Sequence, residues 1–169
     1  MPEPREHAEH RNWIETVLRH IPGFRGYLEK EYRRDSDDLQ RQWLAARLQR
    51  SKRALDEVCR PLADAGQIDL LPQVDRLRGK LDWLNGRIAG AMEGYSGFFD
   101  LVRIDEAVLD RVYEHDVKAM EQIDQLAEAV EGLAAQPDRL GAMLPELFAR
   151  IEDAQQHWDC RQDILKGLD

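Results

Sequence analysis

The chain has 169 residues, of which 34% are charged and 43% hydrophobic, and a net charge of −9. That length suits one domain with a core of its own, and the mixture is that of solvated helices with narrow apolar seams. A membrane span is not expected, since the apolar runs reach only a few residues where a spanning helix needs about 20; the amino terminus also lacks an apolar signal core, so a cytoplasmic location is expected.

Charge is unevenly spread. Residues 1–99 hold 17 Lys and Arg against 16 Asp and Glu, whereas residues 100–169 hold 7 against 17. Within the first part, Arg41, Arg47, Arg50, Lys52, Arg53 and Arg60 form a basic run. Pairing with the acidic carboxy-terminal helices is its simpler reading; a phosphate-binding stripe fits poorly with the overall negative charge, and nucleic acid is not an expected partner. Cys59 and Cys160 belong to no CxxC pair and read as reduced thiols in or beside the core.

The first element is an amphipathic arm from Arg5 to His20, with Trp13, Ile14, Val17 and Leu18 on one face and Pro22-Gly23 as its stop. The sequence thus divides into an amino-terminal helical arm (1–22) and a single bundle domain (23–169). The arm reads first as a cover for the bundle and second as a helix offered to a partner or a membrane surface; its mixed charges argue against anionic lipid.

Helix 1 is predicted from Tyr27 to Ala65. One face carries Leu28, Tyr32, Leu39 and Trp43, a shifted one Leu44, Leu48, Leu55, Val58 and Leu62, so the apolar seam rotates near Trp43. Pro61 predicts a kink around Glu57–Arg60. After the glycine stop at Gly66, Val74, Leu77, Leu81, Leu84, Ile88 and Ala91 recur at spacings of three and four, which predicts helix 2 over Ile68–Met92 with Pro72 in its first turn. Helix 3 is predicted to open at an Asp105 N-cap and to run through Leu109, Val112, Ile123, Leu126, Val130 and Leu133. Helix 4 begins at Asp138, with Leu144, Leu147, Ile151, Ala154, Trp158, Leu165 and Leu168 as its stripe and Pro145 splitting off a short first turn. No segment alternates as a strand does. The expected fold is therefore all-α: an antiparallel four-helix, coiled-coil-like bundle with an amino-terminal arm, its short connections making neighbouring helices antiparallel.

Between helices 2 and 3 lies GYSGFFD, residues 94–100, with three aromatics among glycines. Helix 1 at ~1.5 Å per residue spans roughly 57 Å and helix 2 only roughly 37 Å, so helix 2 should end level with Leu39 to Trp43. Tyr95, Phe98 and Phe99 are then expected to fold over Tyr27, Tyr32 and Leu39, either as a core cap or as exposed anchors for a partner. HIPGFRGYLEKEYRR (20–34) together with GYSGFFD resembles a family of bacterial and archaeal helical proteins with an Ile-Pro-Gly-aromatic-basic-Gly-Tyr start and a Gly-Tyr-x-Gly-Phe-Phe-Asp loop. The likeness covers residues 20–133 and implies a helical architecture, with no mechanism attached.

The chemistry-bearing motifs are sparse. There is no Glu-x-x-His of the carboxylate-bridged metal bundles, no phosphate-cradling glycine pattern and no nucleophile elbow, so no catalytic residues, metal ligands or cofactors are expected. Glu114-His115-Asp116 is the one suggestive cluster, because Asp116 falls on the seam between Val112 and Ala119; it reads as a buried carboxylate paired to an Arg or Tyr, or else as part of an acid/base or ligand site. The leading functional reading is a non-enzymatic interaction or scaffolding module with a protein partner, or a second copy of itself, on Phe24, Arg25, Tyr27, Lys30, Arg33, Arg34, Tyr95, Phe98 and Phe99. The rivals are a metal- or small-molecule-dependent enzyme at His115 and Asp116, and a peripheral membrane binder acting through the arm.

Overall fold

A computed structural model describes residues 15–26, 30–90 and 106–166. Residues 15–20 are helical. Five longer helices follow: α1 (Lys30–Ser51), α2 (Arg53–Asp64), α3 (Leu71–Gly90), α4 (Glu106–Glu131) and α5 (Leu140–Lys166). Short 3-10 turns at Ile68–Leu70, Gly132–Ala135 and Pro137–Arg139 complete the elements, and no strand occurs among the described residues. The fold is all-α, and no described helix is long and apolar enough to cross a membrane.

Helix boundaries differ from the prolines' prediction in an instructive way. The interruption in the first long helix falls at Lys52, not around Glu57–Arg60, and Pro61 lies inside a continuous α2. At Lys52 the Leu48 carbonyl accepts both the Lys52 N–H at 3.2 Å and the Ser51 hydroxyl at 2.8 Å, while Leu55 N–H reaches Lys52 O at 3.0 Å. A side-chain hydroxyl competing for a helical carbonyl loosens the ladder there. Pro61 is tolerated because it and Glu57, whose carbonyl it deprives of a donor, both lie on the solvent face. Pro145 likewise stays within α5 without splitting off a first turn, with Gly141 exposed four residues before it.

The turn after α2 is a Schellman stop: Gly66 at φ +71°, its N–H on Ala63 O at 3.1 Å, and Gln67 N–H on Leu62 O at 2.9 Å. The chain then reverses. Gln49 to Asn85, Lys52 to Asp82 and Asp56 to Arg78 are antiparallel steps of one register between α1/α2 and α3. Extending that register puts Gly90, the last described residue of α3, opposite Leu44; the predicted end of helix 2 at Met92 lies outside the described residues.

Counting α1 and α2 as one broken helix, helices that follow one another run antiparallel, as expected; those that lie side by side without following one another run parallel. Arg76 with Phe148, Lys80 with Glu152 and Arg87 with Asp159 climb α3 and α5 together. Likewise Arg47 of α1 meets Asp124 and Glu131 of α4, and α2 above it packs on the turn Gly132–Ala135. Both α1 and α5 therefore pack on α3 and α4, and α1 and α5 face each other across the bundle.

The seams deliver the core: Leu44, Leu48, Leu55, Val58 and Leu62; Val74, Leu77, Leu81, Leu84 and Ile88; Leu109, Val112, Ile123, Leu126 and Val130; Leu144, Leu147, Ile151 and Trp158 are all buried. At about 1.5–3 kcal/mol per fully buried Val, Leu or Ile, these positions carry the fold. The arm joins them, since Val17, Ile21 and Phe24 are buried too, and glycines at φ +86° and +82° (Gly23, Gly26) turn the chain into α1.

Candidate functional site

The first half of α1 does not bury the face the apolar pattern picks out. Tyr32, Leu39 and Trp43 are only half-buried, while Ser36, Asp37, Gln40 and Arg41 turn inward. Their spacing continues without rotation into Leu44, Leu48 and Ser51. The apparent rotation near Trp43 is therefore a change from a polar to an apolar inward face.

These polar groups receive Arg161 from α5, which is 1% exposed. Its Nε donates to Asp116 Oδ1 at 2.5 Å, and its Nη2 to Asp37 Oδ1 at 2.7 Å and Gln40 Oε1 at 3.3 Å. Asp37 Oδ2 accepts from Arg41 Nε at 2.8 Å, and Arg41 Nη2 reaches the half-buried Asp38 at 2.6 Å. The guanidinium of Arg161 also lies 5.2 Å from the centre of the buried Trp158 ring. Two buried carboxylates thus meet two buried guanidiniums, the balanced pairing that buried charge requires. Asp116 is buried and paired to an arginine, as its seam position predicts.

One residue before Asp116, His115 points toward α5. Its ring stacks on His157 with centroids 4.4 Å apart and planes 11° from parallel. Nε2 of His157 donates to His115 O at 2.9 Å. Burial, and then the neighbouring His157, hold the His115 imidazole below the usual histidine range against the opposing pull of Asp116. Adjacent in sequence, His115 and Asp116 belong to two separate groupings. No three His, Cys, Asp or Glu among the described residues are arranged to hold a metal ion.

Of the expected partner face, Phe24 is buried and belongs to the core. Arg25 and Arg34 are exposed and Arg33 half-buried; the Arg25 guanidinium lies 4.7 Å from the centre of the Tyr32 ring, and its backbone N–H donates to Ser36 Oγ at 3.2 Å. Tyr27, Tyr95, Phe98 and Phe99, with the whole aromatic loop, lie outside the described residues, as does the Lys30 side chain. The structure therefore brings Arg25, Tyr32, Arg33 and Arg34 onto the start of α1 beside the inward-facing Ser36.

Where the arm lies against α1 and α4, a pocket of about 100 Å³ opens between Thr16 and His20 of the arm, Trp43 of α1, and Val117, Met120, Glu121 and Asp124 of α4. His20 stands edge-on to Trp43, with centroids 6.0 Å apart and planes at 80°. Beside it, Arg47 donates to Asp124 at 2.6 Å and to Glu131 at 2.6 and 3.2 Å, so this part of the basic run pairs with the acidic second half of the chain. The hydrogen bonds that Arg47 donates to Glu131 and to Asp124 push its guanidinium further up, with burial opposing.

Comparison with protein-family models, curated proteins and solved structures finds no match to the chain.

Proposed function

We propose that this protein is a non-enzymatic helical interaction module, with a protein partner engaged on the basic start of α1. The observation that favours this reading is the Arg161 cluster: the carboxylate best placed for acid/base work, Asp116, is held by a buried guanidinium, and Asp37 beside it is shared between two. A general base needs an open approach to the proton it takes; a carboxylate 1% exposed and bound to arginine offers none. The work left to such a scaffold is on its surface, where Arg25, Arg33 and Arg34 gather at one end of α1 in a chain whose net charge is −9.

Affinity capture from the native lysate tests the reading. A folded Arg25→Glu/Arg34→Glu variant should recover the specific partner at least tenfold less well than the parent, with an unchanged helical circular dichroism spectrum. Equal recovery would remove this face from consideration, and turnover of any substrate that is lost on replacing His115 would favour the enzymatic alternative.

A further inference from the structure

The pocket beneath the arm has a chemistry distinct from the basic face. We infer that it is a binding site for a small alkylated ammonium ion. Its polar wall is made of acceptors: the carboxylates of Glu121 and Asp124 line it, and no lysine or arginine does. His20 lines it as well, its Nδ1 already engaged as a donor to Thr16 O at 2.9 Å. The charge balance points the same way. Arg47 is one cation set between Asp124 and Glu131, and Glu121 has no cationic partner among the described residues, so these four groups together carry a net charge of −2.

The rest of the wall is apolar and soft: the Trp43 indole and the thioether of Met120. Indole faces attract cations more strongly than other aromatic rings, and the attraction suits ions whose charge is spread over methyl groups and weakly hydrated. A volume of about 100 Å³ suits a compact head group of a few heavy atoms. An anion would meet two carboxylates. A bare divalent metal would find too few free oxygens, since Asp124 is already bound by Arg47.

A ligand of so few heavy atoms binds in the millimolar range. The test is a nuclear magnetic resonance titration of the full chain with tetramethylammonium chloride at constant ionic strength, read at the tryptophan indole N–H signals. The Trp43 signal should shift and saturate, while that of Trp158, buried beside Arg161, stays in place. Tert-butanol, neutral and of similar size, should produce no saturable shift at the same concentrations. Glu121→Gln, at an exposed position that leaves the fold intact, should weaken binding about fivefold or more, and Trp43→Leu should abolish it. Linear shifts without saturation, equal response to tert-butanol, or parental affinity in the Glu121→Gln variant would overturn the assignment.

Discussion

A double-mutant cycle on Arg161 and Asp116 tests the energetics of the buried charge cluster. Replacing Arg161 by Met takes from Asp116 and Asp37 the guanidinium they share; replacing Asp116 by Leu takes from Arg161 one of its two buried carboxylates. Each single change should therefore cost about 3–5 kcal/mol, the scale for removing one partner of a buried pair. In the double variant both members of the pair are gone and Asp37 keeps Arg41 at 2.8 Å, so it should be no less stable than the milder single variant. That requires a coupling at least as large as the larger single cost, about 3–5 kcal/mol, at or above the top of the range for contacting residues. Urea unfolding at pH 7 reads it directly. With a slope of about 2 kcal/mol per molar, each single variant should move the midpoint down by about 2 M. Single costs below about 1 kcal/mol, or costs that simply add, would refute the claim that the cluster is a closed, mutually dependent set.

Three further outcomes are expected. Because His115 is held below its ordinary value near 6.5, the unfolded chain binds its proton first; stability should be full above about pH 6.5, fall as pH drops through the window below it, and level off beneath the folded value. His115→Gln should flatten that limb, and an unchanged pH profile of urea midpoints would remove His115 as its source. Gly86 is an exposed helical glycine with open space around an added Cβ, so Gly86→Ala should stabilise by about 0.5–1 kcal/mol and raise Tm by about 1–4 °C, whereas Gly66→Ala, at φ +71°, should lower it. Calorimetry showing the same sign for both would contradict the Schellman assignment.

The parts of the fold legible in the sequence were those where burial and hydrophobicity coincide. The three-and-four spacing from Val74 to Ile88 gave α3, the Gly66 stop gave its turn, and Asp116 stood out as a polar residue in an otherwise apolar seam. The start of α1 was misread for the converse reason: a pattern search follows apolar residues, and there the inward face is Ser36, Asp37, Gln40 and Arg41, so Leu39 and Trp43 drew the seam to the wrong side. Arg161 was invisible in the same way, its buried position marked only by lying three residues after Trp158 and three before the buried Ile164 on one helical stripe. The pocket needs three segments far apart in sequence, so no local signal announces it.

Helix order was a separate gap, since short connections fix the direction of successive helices and say nothing about which others become neighbours. The apolar seams of α3 and α5 are both strings of Leu and Ile, and hydrophobic burial alone discriminates weakly between packings that bury similar areas. The charged cluster does discriminate. Arg161 finds both carboxylates only when α5 lies against α4 with Asp116 in register and faces α1 across the bundle at the level of Asp37. Exchanging the places of α3 and α5, or sliding α5 by one turn of about 5.4 Å, would bury the guanidinium away from its partners at a cost of several kcal/mol. Because the antiparallel register sets Gly90 opposite Leu44, the described part of α3 ends before the level of Asp37, and it is at that level that α5 reaches α1. The apolar layers thus supply stability, and one polar layer, at the level of Asp37, selects the arrangement in which that stability is realised.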